Sequence, residues 1–180
     1  MYTKVGSLNM CRVINGLWQT SGGWGTIDAQ NALVHMTEAA KNGFTSFDGA
    51  DHYGPAEDLM GALTVKETQL CSKWCPSPAS YSLGQCERAV QKTLSRMGRC
   101  DLLAFHWWDY SAWRGENVMM TNKKKNLTLD TDCCNALHHL NSLREKGLFA
   151  NLALTNFNTT YVRQLIEEEH LPIVSNQVLR

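Results

Sequence analysis

The stretch that decides the fold reads QLCSKW at Gln69–Trp74, LGQCERAVQKTLSRM at Leu83–Met97 and DLLAFHW at Asp101–Trp107. The first and last segments are short apolar runs typical of buried strands. The middle segment is amphipathic, with Val90 and Leu94 on one face at helical spacing. A strand, a helix and a second strand in this order predict two parallel strands joined by a crossover helix.

The same alternation continues on both sides of this unit. Further strands are predicted at Val13–Trp18, Gly43–Asp48, Phe149–Leu154 and Ile173–Val178. Further helices are predicted at Ile27–Asn42, from Pro55 onward, at about Asp130–Glu145 and at Thr159–Glu169. Thr26 is the expected N-cap of the first of these helices, and Gly43 is expected to end it in a left-handed turn.

Repeated strand–helix units predict an α/β fold, with a parallel sheet and helices on its outside. About six strands are predicted, whereas eight close a (β/α)8 TIM barrel, typically in about 250 residues. We therefore expect an incomplete TIM-type barrel with about six of the eight βα units. Residues 1–180 are expected to form it as one domain, and its sheet would have two open edges.

The charge and composition of the chain limit which partners and which compartment are expected. The formal net charge is zero and 43% of the residues are apolar, so neither nucleic acid nor an anionic membrane is an expected partner. No apolar run is long enough to span a bilayer, and the first residues lack the apolar segment of a signal peptide. The seven cysteines are odd in number and irregularly spaced, which predicts free thiols in a reducing, cytoplasmic compartment and no metal centre.

Four side chains that can hold or transfer a proton follow three successive predicted strands. Asp48 closes one strand and Tyr53 lies in the loop after it, while Lys73 and His106 close the next two strands. The carboxyl ends of parallel strands meet at one rim of a barrel, where active sites are built. We therefore expect these four side chains to lie together.

Their chemistry suits the reversible reduction of a carbonyl group. A nearby ammonium favours the ionised form of a phenol, so Lys73 is expected to lower the pKa of Tyr53. Asp48 would hold the ammonium in place, and His106 would orient the carbonyl oxygen through a hydrogen bond. Tyr53 would then donate the proton, provided that a hydride donor is bound.

Three of these four residues also have a simpler interpretation. Asp48 alone could cap a turn, Tyr53 alone could be an aromatic residue of the rim, and His106 alone could be a hydrogen-bonded core histidine. Coincidence on three consecutive strand ends explains the set less well than a shared function. The remaining histidines are interpreted as structural or exposed: His35, His52, His138, His139 and His170.

Several segments resemble the aldo-keto reductase family, and the resemblance spans nearly the whole chain. The matching segments are Phe47–Glu57, Ser72–Trp74, Asp101–Trp107, Gly147–Phe157 and Ser175–Gln177. The resemblance implies that the tyrosine in the first segment is the general acid. It implies that the aspartate and lysine support this tyrosine and that the histidine directs the substrate carbonyl.

The resemblance also implies NADPH as the cofactor and a small-molecule aldehyde or ketone as the substrate. The nicotinamide carboxamide would be held by Thr155, Asn156 and Gln177. From the residues alone, Asn156 is a polar residue near a helix N-cap and Gln177 a buried strand amide. The family's barrel has two further βα units that contact the adenine ribose phosphate, and no segment of this sequence matches them.

Two other functions stay open at this point. One is a catalytically inactive truncated barrel that acts as a binding or regulatory protein, and the other is an aldolase that uses Lys73 as a Schiff base. Any substrate would lie against the loops Trp18–Trp24 and Trp107–Trp113, whose tryptophans favour apolar or planar ligands. The polar stretch Ser111–Leu129 predicts a long loop.

Overall fold

The computed structural model describes residues 1–76, 81–106 and 131–178. Strands β1 to β8 are Tyr2–Val5, Leu8–Cys11, Ile14–Gly16, Ser46–Asp48, Gln69–Trp74, Leu102–His106, Asn151–Thr155 and Ile173–Gln177. Helices α1 to α5 are Ala29–Lys41, Ala56–Gly61, Leu83–Met97, Thr131–Glu145 and Thr159–Glu167, and a short 3-10 helix covers Trp18–Ser21. Two predicted loops lie outside the described residues: Ser111–Leu129, and Trp107–Trp113, against which a substrate was expected to lie.

Among these residues, β3 to β8 form one parallel sheet in which the strands follow one another in sequence order. Helices connect the successive strands from β3 onward, which confirms the predicted α/β fold. The sheet is curled, because Gln177 at the end of β8 hydrogen-bonds Asp48 on β4 across its inner side (3.3 Å). In the described part of the chain β3 and β8 are the edges, so the barrel is incomplete, as predicted.

Strand alternation decides which side chains point into the curled sheet. On β6, Leu103 and Phe105 pack outward against the helices, whereas Leu102 and Ala104 pack inward. Successive side chains of a strand point to opposite faces, so His106 follows Leu102 and Ala104 to the inside. The same alternation on β5 sends Lys73 inward, where only 3% of it is exposed.

The first helix begins later than predicted. The Asp28 side chain accepts a hydrogen bond from the Asn31 N–H (3.0 Å) and caps α1, so the prediction of Thr26 as N-cap is wrong. Both residues are good caps, and the sequence pattern did not distinguish them. Gly43 follows the helix with φ +91°, the left-handed conformation that was predicted for its end.

An antiparallel hairpin of β1 and β2 precedes the sheet, and the sequence analysis did not find it. The Ser7 N–H donates to Asn151 Oδ1 at the start of β7 (3.0 Å). Met10 packs inside the sheet with Leu102, Ala104 and other residues. The hairpin therefore covers the amino ends of the strands, opposite the rim where the predicted site lies.

We find that no helix in the described ranges is long and apolar enough to cross a membrane.

Candidate active site

The carboxyl ends of the parallel strands converge on one cavity of about 350 Å³. Its lining includes all seven residues that the sequence analysis assigned to catalysis or cofactor binding: Asp48, Tyr53, Lys73, His106, Thr155, Asn156 and Gln177. Five of them are the last or next-to-last residues of β4 to β8. The parallel register thus brings together side chains that are up to 129 positions apart in sequence.

The Lys73 ammonium is held by three oxygens. Its Nζ donates to Asp48 Oδ1 (2.7 Å), Asp48 Oδ2 (2.6 Å) and the Gly49 carbonyl (2.9 Å). An ammonium has three N–H donors, so these bonds use all of them. The buried charge is thereby compensated by Asp48, which is the role that the sequence analysis expected of this carboxylate.

The backbone of Tyr53 is fixed by the 3-10 helix. Thr20 Oγ1 donates to the Tyr53 carbonyl (2.7 Å). Gly54 follows with φ +53°, and a Cβ there would lie 2.5 Å from the Thr20 carbonyl oxygen. Only glycine allows this close approach, so the position of Tyr53 depends on its small neighbour.

Aromatic rings surround the Tyr53 ring at the mouth of the cavity. Its centroid lies 4.8 Å from that of Trp18 and 4.8 Å from that of His52, both in edge-to-face geometry. Lys73 Nζ lies 5.2 Å from the same centroid. The ammonium therefore contacts the face of the phenol ring while its N–H groups bond elsewhere.

The ionisation of Tyr53 differs from the expectation. Burial first, and then the negative charges of Asp48, Cys75 and Asp51, raise the pKa of Tyr53 to about 12. The prediction that Lys73 lowers this pKa is wrong for this structure. The physical reason is that burial, the largest cause, disfavours the phenolate, and that the charge of Asp48 acts in the same direction.

His106 lies on the other side of the cavity and is 7% exposed. Burial, followed by the charges of His52 and Lys73, lowers the pKa of His106 to about 4. The imidazole is therefore neutral at pH 7, with one N–H donor and one acceptor nitrogen. The N–H group of a neutral imidazole can donate a hydrogen bond to a carbonyl oxygen while the proton stays on the nitrogen.

Thr155, Asn156 and Gln177 form a second polar group beside the acid–base residues. The hydroxyl of Thr155 is buried and has no hydrogen-bond partner within the described ranges. Asn156 has φ +67°, and its N–H bonds the Gln177 carbonyl (2.9 Å). These hydroxyl and amide groups offer both donors and acceptors, which is what a ligand carboxamide requires. Asn156 lies two residues before Asn158, the N-cap of α5, as expected, but Gln177 is exposed at the end of β8, so the expectation of a buried strand amide is wrong.

The sequence analysis missed Glu57, which is 0% exposed. Its carboxylate accepts from Ser72 Oγ (2.6 Å), Thr93 Oγ1 (2.9 Å) and Arg96 Nη1 (3.0 Å). It thereby joins α2, β5 and α3 immediately behind Lys73. A glutamate in the first turn of a helix is typical of a solvent-facing helix start, so its pattern gave no signal of burial.

Sequence analysis placed His52 among the structural or exposed histidines, and the structure confirms that it is exposed. In the structure it lines the approach to the site: its ring centroid lies 4.8 Å from that of Tyr53 and 6.3 Å from that of His106. Its Nδ1 is 2.9 Å from Asp51 Oδ1. In the sequence, the signal for this location was that His52 directly precedes Tyr53.

Comparisons with known proteins agree with this fold. The family model for the aldo/keto reductase family matches residues 12–179 of this chain. No curated protein matches the sequence.

Among solved structures, a thermostable aldo-keto reductase in complex with the inhibitor epalrestat is similar at 22% identity and TM-score 0.74. An aldo/keto reductase from Brucella melitensis is similar at 19% identity and TM-score 0.71. A Bombyx mori aldo-keto reductase in complex with NADP is similar at 16% identity and TM-score 0.74. Each match covers 100% of this chain but 62%, 63% and 58% of the other chain, in that order. The chain thus spans less than two thirds of the length of these proteins.

Proposed function

The chain belongs to the aldo/keto reductase family, and on that premise we propose that it reduces an aldehyde or ketone to the alcohol with NADPH. The observation that carries the proposal is the cavity at the strand ends, which is lined by all seven predicted site residues. The substrate class is a small-molecule carbonyl compound. The proposed proton donor is Tyr53.

A phenol with a pKa of about 12 is fully protonated at neutral pH, so the acid is always present. An alkoxide that forms on the substrate is a stronger base than the phenolate, and proton transfer from Tyr53 to that oxygen is therefore downhill. Tyr53 donates its hydroxyl proton and is left as a phenolate, which water reprotonates. The high pKa limits the ease of transfer but does not prevent it.

The Lys73–Asp48 pair and His106 have supporting roles in this proposal. Lys73 Nζ lies 5.2 Å from the Tyr53 ring centroid, so a positive charge is close to a developing phenolate. The neutral His106 donates a hydrogen bond to the substrate oxygen. This hydrogen bond would orient the carbonyl oxygen toward the Tyr53 hydroxyl.

The residues at the second polar group fit the carboxamide end of a nicotinamide cofactor. Thr155 offers a buried hydroxyl that lacks a partner in the part of the chain that the structure describes, and Asn156 and Gln177 line the same cavity. When bound, the cofactor supplies the hydride for the carbonyl carbon. The choice of NADPH is supported by the sequence resemblance and by the NADP that the Bombyx mori protein holds.

The test is an assay of the purified chain with NADPH and a panel of reactive aldehydes and ketones. We expect the absorbance of NADPH to fall only when a carbonyl substrate is present, and the matching alcohol to accumulate. A parallel titration follows NADPH binding by its own fluorescence. Binding without consumption over the whole panel would contradict the reductase.

A second candidate function is a binding or regulatory protein without catalysis. It is favoured by one observation, the open sheet between β3 and β8 among the described residues. The absence of turnover together with intact NADPH binding in the same assay would support it. The aldolase alternative is disfavoured, because the oxygens around Lys73 Nζ keep that amine charged and non-nucleophilic.

A further inference from the structure

Asp51 and His52 form a side-chain pair immediately before Tyr53. Asp51 Oδ1 lies 2.9 Å from His52 Nδ1. The backbone of Asp51 is tied to β5, because its N–H donates to the Lys73 carbonyl (3.0 Å). The Cys75 N–H also approaches the Asp51 carboxylate (3.3 Å and 3.4 Å). The carboxylate that holds the imidazole is therefore itself held by the end of a core strand.

This pairing fixes the orientation of the His52 ring. A carboxylate only accepts hydrogen bonds, so Nδ1 carries the proton that faces Asp51. With one nitrogen anchored, the ring presents an edge-to-face contact to Tyr53 at 4.8 Å and 78°. Trp18 makes a similar contact with Tyr53 at 4.8 Å and 73°, and Trp18 and His52 lie 6.3 Å apart. Three rings thus pack against one another at the mouth of the cavity.

The orientation of the Tyr53 phenol depends on this packing, because the Lys73 ammonium donates no hydrogen bond to its hydroxyl. The three hydrogen bonds of Lys73 Nζ go to Asp48 and Gly49, so none remains for the Tyr53 hydroxyl. Its backbone is fixed by Thr20, but the direction of the hydroxyl is set by the torsion angles of the side chain. Those torsions are restricted by whatever packs against the ring.

We propose that His52, braced by Asp51, is a positioning residue that aims the Tyr53 hydroxyl at the substrate carbonyl. The inference rests on the proposed carbonyl reduction. The ring centroid of His52 also lies 6.3 Å from that of His106. The His52 imidazole is therefore next to both Tyr53, the proton donor, and His106, and it sets the distance between them. A loss of this spacing misaligns the two groups that must reach the same oxygen.

The test compares two variants of His52 that separate ring packing from imidazole chemistry. His52→Ala removes the ring, and His52→Phe keeps a ring that can pack edge-to-face but has no nitrogen. We expect His52→Ala to lower kcat about tenfold with little change in KM, since transition-state alignment is lost. His52→Phe should recover most of kcat. His35→Ala, at an exposed position on α1, is the matched control and should equal the wild type.

A second readout needs no turnover. In protein labelled with ¹³C-tyrosine, the Tyr53 ring signals are those missing from Tyr53→Phe. We expect the shifts induced by neighbouring rings to decrease in His52→Ala and to persist in His52→Phe. If the wild type reduces no carbonyl compound, the proposed function fails, while these spectra still decide whether His52 positions the phenol.

Two results would overturn the inference. One is a His52→Ala variant with the kcat and the Tyr53 signals of the wild type. The other is a His52→Phe variant as slow as His52→Ala although its Tyr53 signals match the wild type, because the imidazole would then act chemically and not by packing.

Discussion

At the residue scale, the Lys73–Asp48 pair shows that a buried charge depends on the groups that accept its hydrogen bonds. Lys73 is 3% exposed, and an ammonium in that place is tolerated because Asp48 and Gly49 accept its protons. The neighbouring Tyr53 phenol is not made more acidic, because burial and the charge of Asp48 raise its pKa to about 12. The sequence alone reveals both charges, but the bidentate contact that cancels them depends on the register of β4 and β5.

Removing one member of this pair should be costly. We predict that Lys73→Met lowers the free energy of unfolding by about 3 kcal/mol, because it leaves the Asp48 carboxylate without its cation. The measurement is urea denaturation followed by tryptophan fluorescence. Arg163→Met is the control: its ion pair with Glu167 is exposed, and its loss should cost less than about 0.5 kcal/mol. Equal losses in both variants would contradict this interpretation of the buried pair.

His106 should make stability depend on pH. Its pKa is lowered to about 4, whereas the unfolded chain binds that proton near pH 6.5. Between these values the unfolded state holds more protons, so the free energy of unfolding should fall as the pH drops from about 6.5 to about 4. We predict a flatter profile for His106→Gln in urea titrations at pH 7.0, 5.5 and 4.5. Parallel profiles for the two proteins would count against a buried neutral imidazole.

At the element scale, the strand–helix–strand unit was the most predictable part. The bounds of β5 and α3 equal those expected from the sequence, because a buried strand and an amphipathic helix carry strong periodic signals. The β1–β2 hairpin was missed because its strands have four residues each and show little burial alternation. The seven predicted site residues line one cavity. Asp48, Tyr53, Lys73 and His106 were predicted from their places at or after strand ends, whereas the family resemblance implied Thr155, Asn156 and Gln177. Glu57 was missed, because its role depends on side-chain contacts that no periodicity encodes. The ring contacts of the exposed His52 are likewise visible only in the structure.

Glu57 connects three elements and should be sensitive to loss of charge. In Glu57→Gln the hydroxyls of Ser72 and Thr93 can still donate to an amide oxygen, but an NH₂ group would face the Arg96 guanidinium. We predict a loss of about 2 kcal/mol in the free energy of unfolding. Glu67→Gln, at an exposed position, should change it by less than about 0.5 kcal/mol. A stable Glu57→Gln protein would show that this network does not fasten α2 and α3 to β5.

At the scale of the whole molecule, the described sheet is open between β3 and β8 and yet brings its strand ends together. An inner cavity of about 170 Å³ lies between the hairpin and the site, with Met10 near one end and Asp48 and Lys73 near the other. The hairpin therefore closes the sheet interior at the amino ends of the strands, and the Lys73–Asp48 pair closes it at the carboxyl ends.

We propose that residues 1–180 act as one domain. The prediction is a single cooperative urea transition in which tryptophan fluorescence and far-ultraviolet circular dichroism coincide. The fluorescence reports on the surroundings of the tryptophans, among them Trp18 at the cavity and Trp74 in the core, and the dichroism reports on all helices. Two separated transitions would contradict a single cooperative unit.

The most direct measurement of the central claim is the rate of NADPH-dependent aldehyde reduction by Tyr53→Phe. We predict a rate at least about a hundredfold below the wild type, since the proton donor is lost, with unchanged NADPH binding. Tyr2→Phe, which alters an exposed tyrosine of the hairpin, should keep the full rate. Reduction by Tyr53→Phe at the wild-type rate would contradict the assignment of Tyr53 as the acid.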